Sequence, residues 1–375
     1  MNPRESQVGI PGTTVETAMR TSAMADLRVL TDAPVRLSPE LAARTRLLPS
    51  LPDAWWERVL RKFGLPIWAY RSYALRTSWR LFRQSDRCEA VVTSGDLGGL
   101  AFAALLGLRW RRRPVHVMFD CLWYGGGWFK RAWMRFCLRG VDRCIVWASV
   151  ECERFAKVYG VPRRKFLFVP HHDTMHARYY VEVGDDGYIF TGGNQDRDYA
   201  LFLAAVRGLP APCVLATNRK QNLAGLDIPA NVRVVSASPS EFRQLMARAH
   251  LVVIPMQATL LHAGGQQTIL NAMKMGKPVI LTDPEGGVDY IENGRTGVLV
   301  PYGEAAALGS AIEHLLAHPE EARAMGRCAK AAASLMTTER CCNTIWNHAL
   351  QLVEERMTAN EVGASVGNGQ SQEVG

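Results

Sequence analysis

The sequence predicts an α/β protein of two domains, each a parallel sheet covered by helices on both faces. Short, fully apolar runs alternate with helical patterns along the chain, as strands buried on both faces require. At 375 residues there is length for two separate cores. Apolar runs also end in glycine pairs that lead into helical patterns, at Gly192-Gly193 and Gly264-Gly265.

Taken in order, the first 20 or so residues and the tail from about Thr358 are polar, the tail Gly/Ser-rich, which predicts disorder at both ends. The first strand falls at Leu27–Leu30, in a run (Asp26–Asp32) that leads into Ala33-Pro34 without a glycine loop. Ala90–Thr93, Val115–Phe119, Cys144–Trp147 and Phe166–Val169 follow, giving a first domain over residues 21–172. The connection is Val169–Tyr180. Tyr188–Thr191, Cys213–Ala216, Val232–Val235, Leu251–Ile254 and Pro278–Leu281 build the second domain, over 173–340. Cys341–Met357 is a closing helix, with Ile345, Trp346, Leu350 and Val353 near helical spacing.

Composition narrows the function classes. Nine cysteines are scattered without C-x-x-C pairs, which points to reduced thiols in a cytosolic protein rather than a disulfide framework or a zinc site. Met1–Arg20 has no apolar core and does not read as a secretory signal. Leu97–Leu108, the longest apolar run, is too short to span a bilayer. The basic excess lies wholly in residues 1–150, which hold 23 Lys+Arg against 12 Asp+Glu; the remainder holds 21 against 23. No recognition motif accompanies that charge, so nucleic acid is not the expected partner.

The chemistry concentrates in Leu251–Val300. A strand, the loop at Gly264-Gly265 and a helix ending at Gly276 are followed by a second strand and a Gly-rich turn. A helix N-terminus after such a loop presents free N–H groups and the positive end of the helix dipole, which suits a diphosphate. The ordered pieces Asn271-Ala272-Met273, Gly276-Lys277-Pro278-Val279-Ile280, Gly287, Asp289, Ile291, Gly294, Gly297, Leu299 and Val300 resemble the donor-binding half of group 1 (family 4) glycosyltransferases. The resemblance implies the GT-B fold: two Rossmann-like domains with parallel sheets facing an interdomain cleft. In that fold the closing helix crosses back onto the first, acceptor-binding domain, and the second binds the nucleotide-sugar. The family's paired glutamates would fall on Ala263 and Asn271, so that motif is degenerate here. Asn271 can still hydrogen-bond a ribose hydroxyl; Ala263 can contact nothing through a polar side chain.

By the same resemblance the cofactor-like cradle is Gly264, Gly265, Gln266, Gln267 and Thr268, with His262 immediately before it. Gly192-Gly193 is a second potential phosphate cradle. Arg197 is the candidate cation for the departing phosphate, against the alternative that it pairs with Asp196 or Asp198 on a helix surface. Arg219 and Lys220, after the next strand, read rather as surface charges. Asp173 stands where the family's linker aspartate would.

On the acceptor side, Asp120 ends a strand whose end carries an active-site His in many family members. A carboxylate there suits deprotonating or orienting a hydroxyl, against a loop-capping role. Asp96, at the preceding strand end, is an even choice. His116, inside its strand, reads as structural; His171, His172 and His176 lie in the connection without metal-site spacing. Trp55–Arg83 and Trp123–Arg139 interleave Trp, Tyr and Phe with Arg and Lys. They fit either core-facing aromatic stripes or amphipathic helices on an anionic membrane surface.

The expected function is transfer of a sugar from a nucleoside-diphosphate sugar to a hydroxyl acceptor, with Asp120 and Arg197 catalytic. The resemblance implies retention of configuration, a role in polysaccharide biosynthesis and no metal or cofactor beyond the donor substrate. The acceptor would be a glycan, free or on a lipid carrier, at the inner face of the plasma membrane. The missing glutamates motivate a rival: a catalytically inactive GT-B partner or scaffold in a glycan-assembly complex.

Overall fold

A computed structural model describes residues 28–369, apart from positions 34, 96, 110–112, 122, 124, 175–180, 259–260 and 283. Among the described residues, twelve strands form two six-stranded sheets. The first has the order β2-β1-β3-β4-β5-β6, from β1 (Val29–Thr31), β2 (Thr45–Leu47), β3 (Ala90–Ser94), β4 (Val115–Phe119), β5 (Arg143–Val146) and β6 (Phe166–Phe168). The second has the order β12-β11-β10-β7-β8-β9. Its strands are β7 (Ile189–Gly192), β8 (Cys213–Ala216), β9 (Val232–Val235), β10 (Leu251–Ile254), β11 (Val279–Leu281) and β12 (Val298–Leu299). Ile189 stands opposite Cys213 on one side and Leu251 on the other, both in parallel register.

Helices fill the crossovers. Before and within the first sheet lie α1 (Pro39–Ala43), α2 (Trp55–Lys62), α3 (Pro66–Gln84), α4 (Leu97–Gly107), α5 (Trp128–Cys137) and α6 (Ser149–Tyr159). With the second come α7 (Tyr199–Val206), α8 (Pro239–Arg248), α9 (Gln266–Lys274), α10 (Pro284–Gly287), α11 (Ala305–Ala317) and α12 (Pro319–Ser334), and α13 (Thr338–Gly369) closes the chain. The described residues up to Met118, with Cys137–Asp142 and the chain from Ile345, form one compact unit; Phe119–Phe136 with Arg143–Thr344 form the other.

The second sheet shows why its strands read as unbroken apolar runs. Ile189, Leu215, Leu251, Val253 and Ile280 pack on one face with Phe202, Leu308 and Ile312. Their neighbours Phe190, Val214, Val252, Ile254 and Leu281 pack on the other with Met246, Ile269 and Met273. Successive residues point to opposite faces, and both faces are covered, so the inner strands are apolar apart from the buried Thr191 in β7. In the first unit, His116 is buried. Its Nδ1 donates to Gly140 O (3.0 Å) and its Nε2 accepts from Thr93 Oγ1 (2.9 Å), a structural histidine.

Two strands were not foreseen, β2 and β12, and both are sheet edges. β2 is Thr-Arg-Leu with two of its three residues exposed, so it lacks the apolar signal of an inner strand. Elsewhere bounds move by a residue or two, as at Arg143–Val146 and Ile189–Gly192. The closing helix runs on to Gly369, past the Thr358 where polar composition predicts its end; once nucleated on a buried face, a helix gains one bond per added residue. Leu27, Asp96 and His176 lie outside the described residues.

Most aromatic residues of the two segments face outward, although Trp123 and Phe82 pack on the core as the core-stripe alternative has it. The only buried residue of α2 is Glu57, held by Arg76 (2.8 Å), while Trp55 (66% exposed) and Trp56 face outward. Phe63, Ile67, Trp68 and Trp79 continue the exposed face, as do Trp128, Phe129 and Trp133 on α5. Among the described residues no helix is long and apolar enough to cross a membrane.

Candidate functional site

A cleft of about 630 Å³ opens in the second unit, at the carboxyl ends of β5, β7, β8, β9 and β10, where open α/β sheets place ligands. Its floor is the start of α9. Gly265 caps that helix at φ +86° and offers no side-chain cap, so the N–H groups of Gln266, Gln267 and Thr268 precede the first internal bond, Ile269 N to Gly265 O (2.9 Å). A Cβ on Gly264 would come within 2.6 Å of Met256 Cε. The two glycines therefore supply a left-handed turn and a close approach to Met256. Gln266 turns its Nε2 back onto Ala263 O (2.7 Å), and Thr268 offers its hydroxyl.

Arg197 reaches this floor from the loop after β7. Its guanidinium is buried: Nε donates to Gly192 O (3.1 Å), Nη1 to Gln195 O (3.2 Å) and Nη2 to Thr268 Oγ1 (3.2 Å), with Met256 Sδ 2.8 Å from Nη1. No carboxylate lies within ion-pair distance among the described residues, which overturns the surface-pair alternative. Asp198 instead caps α7 through Leu201 N (2.9 Å). Burial lowers the guanidinium's pKa, yet arginine keeps its proton. The result is a fixed positive charge beside a helix N-terminus.

Gly192 and Gly193 do not form a second cradle. A Cβ on Gly192 would meet Phe242 Cε2 at 2.6 Å, and one on Gly193 (φ +136°) would meet Arg197 Nε at 3.0 Å. The Gly193 N–H is already given to Ala216 O (3.0 Å). Gly193 makes room for the arginine and Gly192 for Phe242, and of the two only Gly193 lines the cleft.

The opposite wall is built from Asp120, Trp147 and His171. Asp120 takes a left-handed turn (φ +53°), which aspartate tolerates, and accepts from Trp147 Nε1 (3.0 Å). His171 stacks on the Trp147 ring (centroids 4.6 Å apart, 15° between planes). Burial, with His172 alongside, pulls the His171 pKa down to about 3, so this ring is neutral. Tyr290 anchors the wall, donating to Trp147 O and accepting from His171 N. Behind it Glu151 is buried. Its Oε2 accepts from Trp147 N and Ala148 N (3.0 Å each), and its Oε1 from Ala263 N (2.8 Å). Burial pushes the Glu151 carboxyl up to about 7 against the pull of those N–H groups. Ala263, which lacks the family's glutamate, is thus held by a glutamate from elsewhere.

Of the remaining predicted residues, His262 lines the cleft, its Nδ1 donating to Ala263 O (2.8 Å) and its Nε2 3.6 Å from Asp196 Oδ2. Asn271 does not line it: Oδ1 accepts from Thr174 N (3.1 Å) and Nδ2 donates to Thr174 Oγ1 (3.0 Å). Arg219 is exposed, as its surface reading has it, and also lines the cleft, while Lys220 does not line it. Trp147, Glu151, Asn218, Pro239 and Phe242 were not foreseen. Their shared signal is position: Trp147, Asn218 and Pro239 closely follow β5, β8 and β9.

Residues 195–318 match the family described as "Glycosyl transferases group 1". Over 65 residues the chain is 38% identical to D-rhamnosyltransferase WbpZ of Pseudomonas aeruginosa, a match that spans 17% of this chain and 17% of that relative. Among solved structures it is similar to sucrose-phosphate synthase from Thermosynechococcus elongatus (TM-score 0.58, 16% identity, 92% of this chain and 94% of that one). It is similar too to Anabaena Alr3699/HepE in complex with UDP (TM-score 0.58, 13% identity, 89% and 100%) and to a glycosyltransferase from Rickettsia africae (TM-score 0.56, 13% identity, 91% and 93%). The fold is therefore GT-B. The matched segment contains Arg197, His262 and the whole α9 floor, and over that segment the chain is similar to the group 1 glycosyltransferases.

Proposed function

We propose that the protein transfers a sugar from a nucleoside-diphosphate sugar to a hydroxyl acceptor. The observation that carries this is the buried, carboxylate-free Arg197 guanidinium beside the open N-terminus of α9. Two independent sources of positive potential converge on one spot, which suits a diphosphate and stabilises it as a leaving group. Arg219 adds charge at the rim, and Ala237, Pro239 and Phe242 offer an apolar wall for a base. The hydrogen bond from Trp147 that orients Asp120 supports it as the group that takes a proton from the acceptor hydroxyl. Family analogy supports retention of configuration and a reaction with no metal or further cofactor. The ribose contact expected of Asn271 is dropped, since its amide is engaged by Thr174.

The acceptor is a glycan on a lipid carrier, met at an anionic membrane surface. Helix α2 is inverted relative to a soluble helix, burying a Glu–Arg pair and exposing tryptophans among arginines. Arg71 lies over the Trp68 ring (5.0 Å).

The test is thermal unfolding with UDP, GDP, ADP, CMP, dTDP and their sugar conjugates; HepE, a similar fold, is a complex with UDP. A ligand at about a hundred times its dissociation constant stabilises by about 2.7 kcal/mol. One nucleotide should shift the midpoint, and Asp120→Asn should keep that shift while losing transfer. No shift with any nucleotide would favour the inactive GT-B partner. For the membrane, flotation with anionic but not neutral vesicles is expected, and equal behaviour with both would remove that assignment.

A further inference from the structure

Away from the cleft, in the second unit, α11 meets α12 at a sharp corner. His314 is in the last turn of α11, His318 is both the C-cap of α11 and the N-cap of α12, and Glu321 is in the first turn of α12. All three are exposed, and one ligand atom from each lies within 4.8 Å of the others. His314 Nε2 is 2.9 Å from Glu321 Oε2. The two imidazole rings stand 4.4 Å apart at 30°.

We propose that this corner binds a divalent transition-metal ion of the Zn²⁺ or Ni²⁺ type. Two imidazoles and one carboxylate select such an ion over Mg²⁺ or Ca²⁺, which prefer oxygen ligands. The His318 ring is held in the tautomer that coordination needs, because its Nδ1 donates to His314 O (2.8 Å) and leaves Nε2 with the free lone pair. At His314 the metal takes the place of the proton shared with Glu321, and that proton moves to Nδ1 of the same ring. Zinc–nitrogen bonds of about 2.0–2.1 Å bring ligand atoms a little over 3 Å apart, so the His314–Glu321 edge, now 2.9 Å, opens slightly while edges as long as 4.8 Å close. Rotation of exposed side chains supplies this, while the backbone beneath them is fixed. Leu308, Ile312 and Leu315 of α11 and Ala322 and Met325 of α12 are buried, and Pro319 starts the second helix. Water fills the remaining positions, giving a clip across the two helices.

The experiment is calorimetric titration of the full chain with Ni²⁺ and with Zn²⁺ near neutral pH, with Mg²⁺ as the control. One ion per chain in the micromolar range is expected, with the unfolding midpoint rising on loading and no response to Mg²⁺. His314→Ala and His318→Ala should each weaken binding by about tenfold or more, and Glu321→Gln by less. All three positions are exposed, so the variants keep the fold, and unchanged metal-free melting confirms it. Absence of binding to the parent chain overturns the proposal. So does equal binding by the His314→Ala/His318→Ala double variant, which would place the metal on other side chains.

Discussion

The turns β7→α7 and β10→α9 carry the same sequence signal, an apolar strand, two glycines and a helix, and they do opposite things. Helix α7 is capped by Asp198, whose carboxylate accepts from Leu201 N, so its positive end is already answered. Helix α9 is capped by Gly265, and its first-turn N–H groups face the cleft. A helix that carries its own anion at the N-cap has no use for a ligand's; one capped by glycine has. The first turn's contribution is different in kind: Gly193 opens the space into which Arg197 folds back toward the second turn. One turn supplies the cation and the other the cradle.

The largest effect expected is at the joint between them. Arg197→Ala removes the buried cation beside the donor floor, and nucleotide affinity should fall by about a hundredfold, as loss of a charge-assisted bond in a buried site predicts. Since that guanidinium has no carboxylate within ion-pair distance among the described residues, the fold itself should not lose a direct ion pair. Nucleotide titration of a well-folded Arg197→Ala protein decides it; retained affinity would mean that the diphosphate sits elsewhere.

Next comes a swap of cap chemistry. Gly265→Asp gives α9 the anion that α7 has, and Gly265→Ala controls for backbone strain alone, because φ is +86° and the new Cβ meets Met256 Sδ at 3.2 Å. Both should lose about 1–3 kcal/mol of stability. Only the aspartate should abolish nucleotide binding beyond what the alanine does, and equal binding by the two would detach the cap from function.

How far these differences were legible follows from what each residue answers to. The inner strands were readable because burial on both faces leaves nothing but apolar side chains, as in Leu251-Val252-Val253-Ile254. The edges β2 and β12 carry no such constraint and left no signal. The Gly264–Thr268 floor was readable because backbone conformation there restricts residue choice. The Gly192-Gly193 pair was misread because a glycine records that space is needed, not who fills it. Glu151 and Trp147 were invisible for a different reason: their partners, Ala263 and Asp120, are far along the chain, and a hydrogen bond of that kind leaves no local pattern.

Glu151 gives a smaller, pH-dependent effect on the wall that faces the cradle. Its carboxyl is raised from 4.5 to about 7 by burial, so between those values the folded protein keeps a proton that the unfolded chain has released. Stability therefore falls as pH rises across that window and levels off above it. Glu151→Gln cannot ionise, so the stability difference between parent and variant should slope over pH 4.5 to about 7 and flatten beyond. Chemical denaturation across that range reads it, and parallel curves would show that the carboxyl is not raised.

The smallest effect returns to the cap of α7. Asp198→Ala removes the side chain that accepts from Leu201 N, and the loss of such a cap costs about 1 kcal/mol. The bare helix end then has the cap chemistry of α9, yet it should not become a nucleotide site. Tyr199 and Leu201 at that end are buried, and neither lines the cleft, so no phosphate can approach. Asp198→Ser restores the cap and should restore the stability. If Asp198→Ala instead weakened nucleotide binding at unchanged stability, the aspartate would be acting on the neighbouring Arg197, and the division of labour between the two turns would be wrong.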